Sequence, residues 1–183
     1  MHIEPLSRSA FAKYGDVIGG HMPTEGVSIN QGTTHKFATE ALALTEQDGD
    51  EGGDQSSDQS SDQSQRGQGQ AFLYRARAQP LPLTLHELEC HHLGSQTFVP
   101  LAGVSFVVVV ALSDATGHAP NLQTLRAFWV DGNHAITLRA GTWHHGLIAM
   151  EDGDFVVIER VAEQVDCQTI KLEPAIELKA YEL

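Results

Sequence analysis

Cysteine is scarce in this chain, basic residues are outnumbered, and no apolar run is long. The two cysteines, Cys90 and Cys167, cannot build a disulfide framework and have no zinc-type spacing. Stability must therefore come from a packed core, and the expected setting is a reducing cytoplasm. Lysine and arginine total 11 against 24 acids, a formal charge of -13. Binding a phosphate backbone needs clustered cations, so no nucleic-acid partner is expected. The longest wholly apolar stretch, Phe106 to Leu112, is too short to span a bilayer, and no membrane association is expected. The N-terminus lacks the basic start, apolar stretch and cleavage site of a secretory leader. There is no glycine-rich phosphate loop, G-x-S-x-G elbow or dinucleotide fingerprint, which predicts chemistry without an organic cofactor.

What is present suits one domain over residues 1–183, since 41% of the residues are hydrophobic. One segment stands apart. Residues 45–70, "TEQDGDEGGDQSSDQSSDQSQRGQGQ", hold seven acids and one base and no large apolar side chain. Such a stretch buries too little surface to offset its ordering entropy, so a flexible acidic insertion is expected there. Elsewhere Val, Ile, Leu and Phe recur in short runs separated by Gly, Pro, Asn and Asp: "FLYRARA", "LPLTLHELECHH", "QTFVPLAG", "VSFVVVVAL", "LRAFWV", "AITLRAG", "HHGLIAM" and "DFVVIERVA". This punctuation predicts a mainly β fold, a small barrel or jelly roll with one or two short helices. A helix is expected near Ser7 to Tyr14, opened by a Ser cap and stopped at Gly15, and "NLQTL" reads as a short turn or helix.

Two stretches carry chemistry. In "LPLTLHELECHH" strict alternation puts Leu83, Leu85, Glu87, Glu89 and His91 on one face, apolar at one end and polar at the other, as the mouth of a ligand pocket requires. The next strand opens with Gln96, expected across from the same pocket. Further on, "AGTWHHGL" sets Trp143, His144 and His145 after a glycine turn. Imidazole and carboxylate are competent first-row metal ligands, whereas the Gln amide is a weak neutral one. Glu89-x-His91, four residues and Gln96, followed much later by Arg139-x-Gly141-x-x-His144, is similar to the two metal motifs of cupin barrels, with two ligand identities changed.

A narrower resemblance extends along nearly the whole chain. "GDVI", "INQG", "RAQP", "HELECH", "LGSQTFVPL", "FVVVVA", "LRAF", "GTWHH" and "DFVVIER" occur in the order found in the ureidoglycolate lyase family, leaving out the acidic segment and about the last dozen residues. The resemblance implies a cupin-like fold, a homodimer, and cleavage of (S)-ureidoglycolate to glyoxylate and urea in allantoin breakdown, with nickel as the associated divalent metal. The chain departs from the family pattern at His92 and Gly146, where proline is common, and at "LRA", Leu138 to Ala140, where a Tyr-His-Arg run is usual.

Ureidoglycolate carries a hydroxyl, a carboxylate and a urea nitrogen on one carbon. Its cleavage requires a proton acceptor, a proton donor and a carboxylate anchor. Glu89, His91 and His144 are the expected catalytic or metal-binding groups, each with a structural hydrogen bond as the alternative. His145, on the opposite face by alternation, is expected to support the site, and Trp143 to pack. Arg77 and Arg126 are the carboxylate anchors to test, because guanidinium binds carboxylate through two parallel bonds, with a structural ion pair as the other reading. Asn30 either contacts the urea group or forms an Asx turn beside Gly32. A non-catalytic small-acid sensor and a metal-dependent hydrolase of a related ureido acid remain open beside the lyase. A lyase releases urea, an amidohydrolase releases ammonia, and a sensor releases neither.

Overall fold

The computed structural model describes residues 1–20, 26–38 and 67–181. The fold is mainly β. The first half of the chain contributes β1 (Ile3–Pro5), α1 (Arg8–Phe11), β2 (Gly15–Ile18), β3 (Val27–Ile29), β4 (Thr34–Lys36), β5 (Gln68–Ala76) and β6 (Leu83–Cys90). The second half contributes β7 (Gln96–Pro100), β8 (Phe106–Ala111), β9 (Arg126–Val130), β10 (Ala135–Leu138), β11 (Trp143–His144), β12 (Ile148–Ala149), β13 (Gly153–Val161) and β14 (Gln168–Leu178).

A seven-stranded sheet runs β1-β9-β8-β11-β6-β14, with β12 also on β8, and a five-stranded sheet runs β2-β10-β7-β13-β5. The larger sheet curls until its edges meet: the Met1 amino group donates to Glu177 O, and Lys179 N donates to Met1 O at 2.9 Å. Two cores result. One lies between the sheets, joining Val108, Val110 and Phe128 to Phe98, Ile136, Phe155 and Val157. The other lies inside the curl and is built from the larger sheet, with Trp143, Leu85, Leu88, Val107, Val109, Ala127 and Leu178. The unbroken "FVVVVA" of β8 follows from this arrangement: alternate residues enter different cores, so all six are buried.

Strict alternation fails in β6. Leu85 and Leu88, of opposite parity, both enter the curl, because β14 carries extra residues between Lys171, opposite Glu87, and Ile176, opposite Leu85. This bulge reverses the phase of the strand. Leu83 and Leu85 therefore share a side with Leu88 and Cys90, and Glu89 faces away from them into the space between the sheets.

The expected N-terminal helix is shorter than read. Ser7 caps it, its Oγ accepting from Ala10 N at 3.3 Å, but only Arg8–Phe11 are helical. Gly15 lies inside β2 rather than ending a helix. A Cβ there would stand 1.8 Å from Thr137 O, so glycine is required by the close approach of β2 to β10. "NLQTL" contains the expected turn, a 3-10 segment at Leu122–Thr124. The expected flexible insertion lies outside the described residues over 45–66. Its end is corrected: Gln68, Gly69 and Gln70 pair with Val161, Arg160 and Glu159, because this exposed edge strand extends along β13 without needing apolar side chains.

Candidate active site

His144 is aligned across three strands, with Val110 on one side and Glu89 on the other. Val110 belongs to the inter-sheet core, so His144 and Glu89 face that space, while neighbouring Trp143 fills the curl and donates to Ser113 Oγ at 3.2 Å. His91 follows β6 and is tied to the turn before β11 by a 2.7 Å bond from Gly141 N to His91 O. Gly141 makes that turn at φ +80°, a conformation that favours glycine.

Both imidazoles are held from behind. His91 Nδ1 lies 2.5 Å from Asp166 O, and His144 Nδ1 lies 3.1 Å from Thr142 O. A carbonyl only accepts, so in each ring Nδ1 carries a proton and Nε2 is the nitrogen turned toward the site. Asp166 also fixes the chain here, its carboxylate accepting from His92 N at 2.9 Å and Leu93 N at 2.7 Å. The two Nε2 atoms are buried without a hydrogen-bond partner among the described residues, and the ring centroids lie 5.5 Å apart. His144 Nε2 stands 3.3 Å from Glu89 Oε1 without the alignment of a hydrogen bond. The His144 imidazole beside it holds the Glu89 carboxyl below the usual range despite opposing burial, and His91 adds to the effect. Ligand atoms of Glu89, His91 and His144 all lie within 4.8 Å of one another. Two oriented nitrogens without partners and a carboxylate form a donor set that fits a divalent first-row metal ion.

The five-stranded sheet supplies the opposite wall. Gln96 has the same parity as core residue Phe98, and Glu159 the same as Val157, so both face inward. Gln96 Nε2 donates to Glu159 Oε2 at 2.6 Å, and Tyr74 OH donates to Glu159 Oε1 at 3.3 Å. Burial pushes the Tyr74 hydroxyl up to about 12, with Glu159 and then Glu89 reinforcing the shift. Gln96 Oε1 is buried and has no partner among the described residues. Tyr74 and Glu159 were not singled out from the sequence; their inward parity in "FLYRARA" and "DFVVIERVA" was the available signal.

The remaining expected site residues are not drawn together. Arg126 faces inward two strands from His144, but its guanidinium pairs with Glu4, donates to Ala10 O and caps the Phe128 ring at 4.7 Å. Arg77 borders a surface groove with Arg75, Glu151 and Asp154, beyond the end of β5 that pairs with Gly153. Six residues of strand separate that end from the Glu159 level, roughly 20 Å. Asn30 lies in the exposed β3–β4 hairpin, where its Nδ2 reaches Thr34 Oγ1 at 3.5 Å, an intra-hairpin contact. His145 borders the same crevice as His144, with Phe98, Phe106 and Val108, and its Nδ1 lies 2.9 Å from Gly146 O. β11 ends at His144, with His145 N making one last backbone bond to Val109 O at 3.0 Å.

Among the described residues no helix is long and apolar enough to cross a membrane. The family model for ureidoglycolate lyase matches residues 1–179. Curated ureidoglycolate lyases resemble the chain closely. That of Pseudomonas syringae pv. syringae (strain B728a) is 37% identical over 90% of this chain and 85% of its own length. The Azotobacter vinelandii enzyme is 36% identical over 91% and 89%, and one from Escherichia coli (strain SMS-3-5 / SECEC) is 38% identical over 87% of each. With its two-sheet scaffold and its cluster of Glu89, His91 and His144, the chain belongs to the ureidoglycolate lyase family.

Proposed function

We propose that this protein is a carbon–nitrogen lyase that splits (S)-ureidoglycolate into glyoxylate and urea, with Glu89, His91 and His144 holding a divalent metal ion, nickel being the ion the family resemblance suggests. The carrying observation is the pair of buried Nε2 atoms without partners beside the Glu89 carboxylate, in a chain of this family. When bound, the ion supplies Lewis acidity that lowers the pKa of the substrate hydroxyl. The same resemblance supports a cytoplasmic homodimer.

The reaction is proton-neutral. The hydroxyl loses a proton as its carbon becomes an aldehyde, the carbon–nitrogen bond breaks, and the departing nitrogen gains a proton to become urea. Glu89 is ionised and accepts hydrogen bonds from the substrate. Gln96 binds the ureido group. Arg126 is engaged by Glu4 and Arg77 lies far off, so neither is placed to anchor the substrate carboxylate, and that role falls to the cation that Glu89, His91 and His144 would hold. A second reading rests on the 3.3 Å approach of His144 Nε2 to Glu89 Oε1: His144 takes the hydroxyl proton at Nε2 and returns it to the departing nitrogen.

Purified protein incubated with (S)-ureidoglycolate is expected to release urea and glyoxylate in equal amounts, to stop after chelation and to recover with added Ni²⁺. Activity that survives chelation but not His144→Ala selects the proton-transfer reading. Ammonia in place of urea identifies a hydrolase, and release of neither product identifies a binding protein.

A further inference from the structure

The wall opposite the histidines has a fixed polarity. Gln96 is 5% exposed, and its amide has two chemically different ends. Its Nε2 is committed to Glu159 at 2.6 Å, and Glu159 accepts at its other oxygen from Tyr74. A carboxylate receiving donors at both oxygens leaves the Gln96 amide one orientation, because turning it over would set two oxygens against each other. The end facing away from Glu159 is then a carbonyl, and this Oε1 is buried without a partner. A buried acceptor lacking a donor carries a desolvation cost that a ligand N–H removes and a methyl group or carboxylate does not.

The geometry points to Glu159, with Tyr74 behind it, as a positioning residue that locks Gln96 as an acceptor, so that the site selects ligands whose far end is a carbamoyl NH₂ and orients that end toward the five-stranded sheet. This rests on the lyase reading for the identity of the substrate, and it adds what distinguishes a ureido acid from an acyl-amino acid of the same shape. It also sets the direction of the substrate: ureido end toward Gln96, carboxylate toward the side where Glu89, His91 and His144 would hold a metal ion, whose charge offsets that of Glu89.

Two unreactive ligands test it. N-carbamoylglycine lacks the hydroxyl of the substrate, and N-acetylglycine differs from it in carrying a methyl where the terminal NH₂ stands. Calorimetry on the metal-loaded protein should show the first binding about 10- to 100-fold more tightly, the range expected when a buried acceptor is left unpaired. Glu159→Gln presents Gln96 with either a donor or an acceptor, so its amide can turn and the affinity ratio should fall toward unity. Gln96→Leu should abolish the ratio. A merely structural Glu159 would weaken both ligands together and leave their ratio unchanged. If Glu159→Gln does not fold, Glu159→Asp, which draws the carboxylate back by one methylene, must lower the ratio in the same direction. A ratio near one in the wild type, or a wild-type ratio retained by either folded Glu159 variant or by Gln96→Leu, overturns the inference. Urea release measured in parallel separates the two readings: a wild type that releases urea without discriminating loses only this inference, and one that binds neither ligand and releases no urea loses both.

Discussion

The two cores use the same strands for opposite purposes. Inside the curl of the larger sheet, Trp143, Leu88 and Val109 meet other apolar side chains and the space is closed. On the other face of those strands, one residue along, His144, Glu89 and Val110 look into the space between the sheets, apolar around Phe106 and Phe155 and polar around His144 and Glu89. One core therefore holds the strands in place, and the other receives whatever the strands carry. The division assigns the neighbours Trp143 and His144 to different tasks: truncating one should damage the fold, truncating the other the chemistry.

The largest effect is expected on the closed side. Trp143 is fully buried, and Trp143→Ala removes its packing and leaves a cavity, costing about 3–5 kcal/mol. Denaturant unfolding should show this loss. A variant as stable as the wild type would mean that the curl is not a packed core.

On the open side, His144→Ala should lower turnover about 100-fold or more, whether His144 is a ligand or a proton carrier, and should leave a folded protein. A protein that loses stability as Trp143→Ala does, with turnover unchanged per folded molecule, would erase the distinction between the faces. Metal content of the variant, measured by mass spectrometry, should fall with turnover if the ligand reading holds.

His145 tests where the open side ends. It borders the crevice, but its Nδ1 lies 2.9 Å from Gly146 O at the edge of the pairing. His145→Ala is expected to change KM and turnover within about tenfold, the lower end for groups that support a site from outside. A loss matching that of His144→Ala would place both imidazoles in the reacting group.

How much of this could be read beforehand divides along the same line. The central strands were legible because burial on both faces leaves continuous apolar runs such as "FVVVVA", and the "GTWHH" turn was legible because glycine and paired histidines are chemically distinctive. β14 was not: "QTIKLEPAIEL" mixes charges with a proline and mostly lies exposed, so no periodicity marks it. The phase reversal in β6 was invisible because its cause lies in the partner strand. Glu89, His91 and His144 do come within 4.8 Å of one another, since short motifs on neighbouring strands survive an error of phase, while Gln96 faces inward from the other sheet, bound to Glu159. Arg77 and Arg126 could not be placed, because a strand sequence does not say at which end of the sheet a residue emerges or which carboxylate meets it first.

The smallest effect concerns that carboxylate. Arg126 faces the open core, yet Glu4 engages it, and the Arg126 hydrogen bonds hold the Glu4 carboxyl below its usual range, with burial opposing. Both partners are partly exposed, 33% and 45% for the Arg126 and Glu4 side chains, so solvent screens the pair and Glu4→Gln should cost about 0.2–1 kcal/mol near neutral pH. The sign of its pH dependence follows from linkage. A carboxyl with a depressed folded pKa contributes stability that is fully present above its unfolded value, 4.5, and is lost as pH falls through the lower folded value. The stability difference between wild type and Glu4→Gln should therefore be level from pH 7 down to about 5 and then close as Glu4 protonates. Arg126→Lys, which keeps the charge but not the paired bonds, should show a small stability loss of the same order with KM unchanged. If KM rises instead while stability holds, Arg126 leaves Glu4 for the substrate carboxylate, and the open core extends two strands further than its resting contacts indicate.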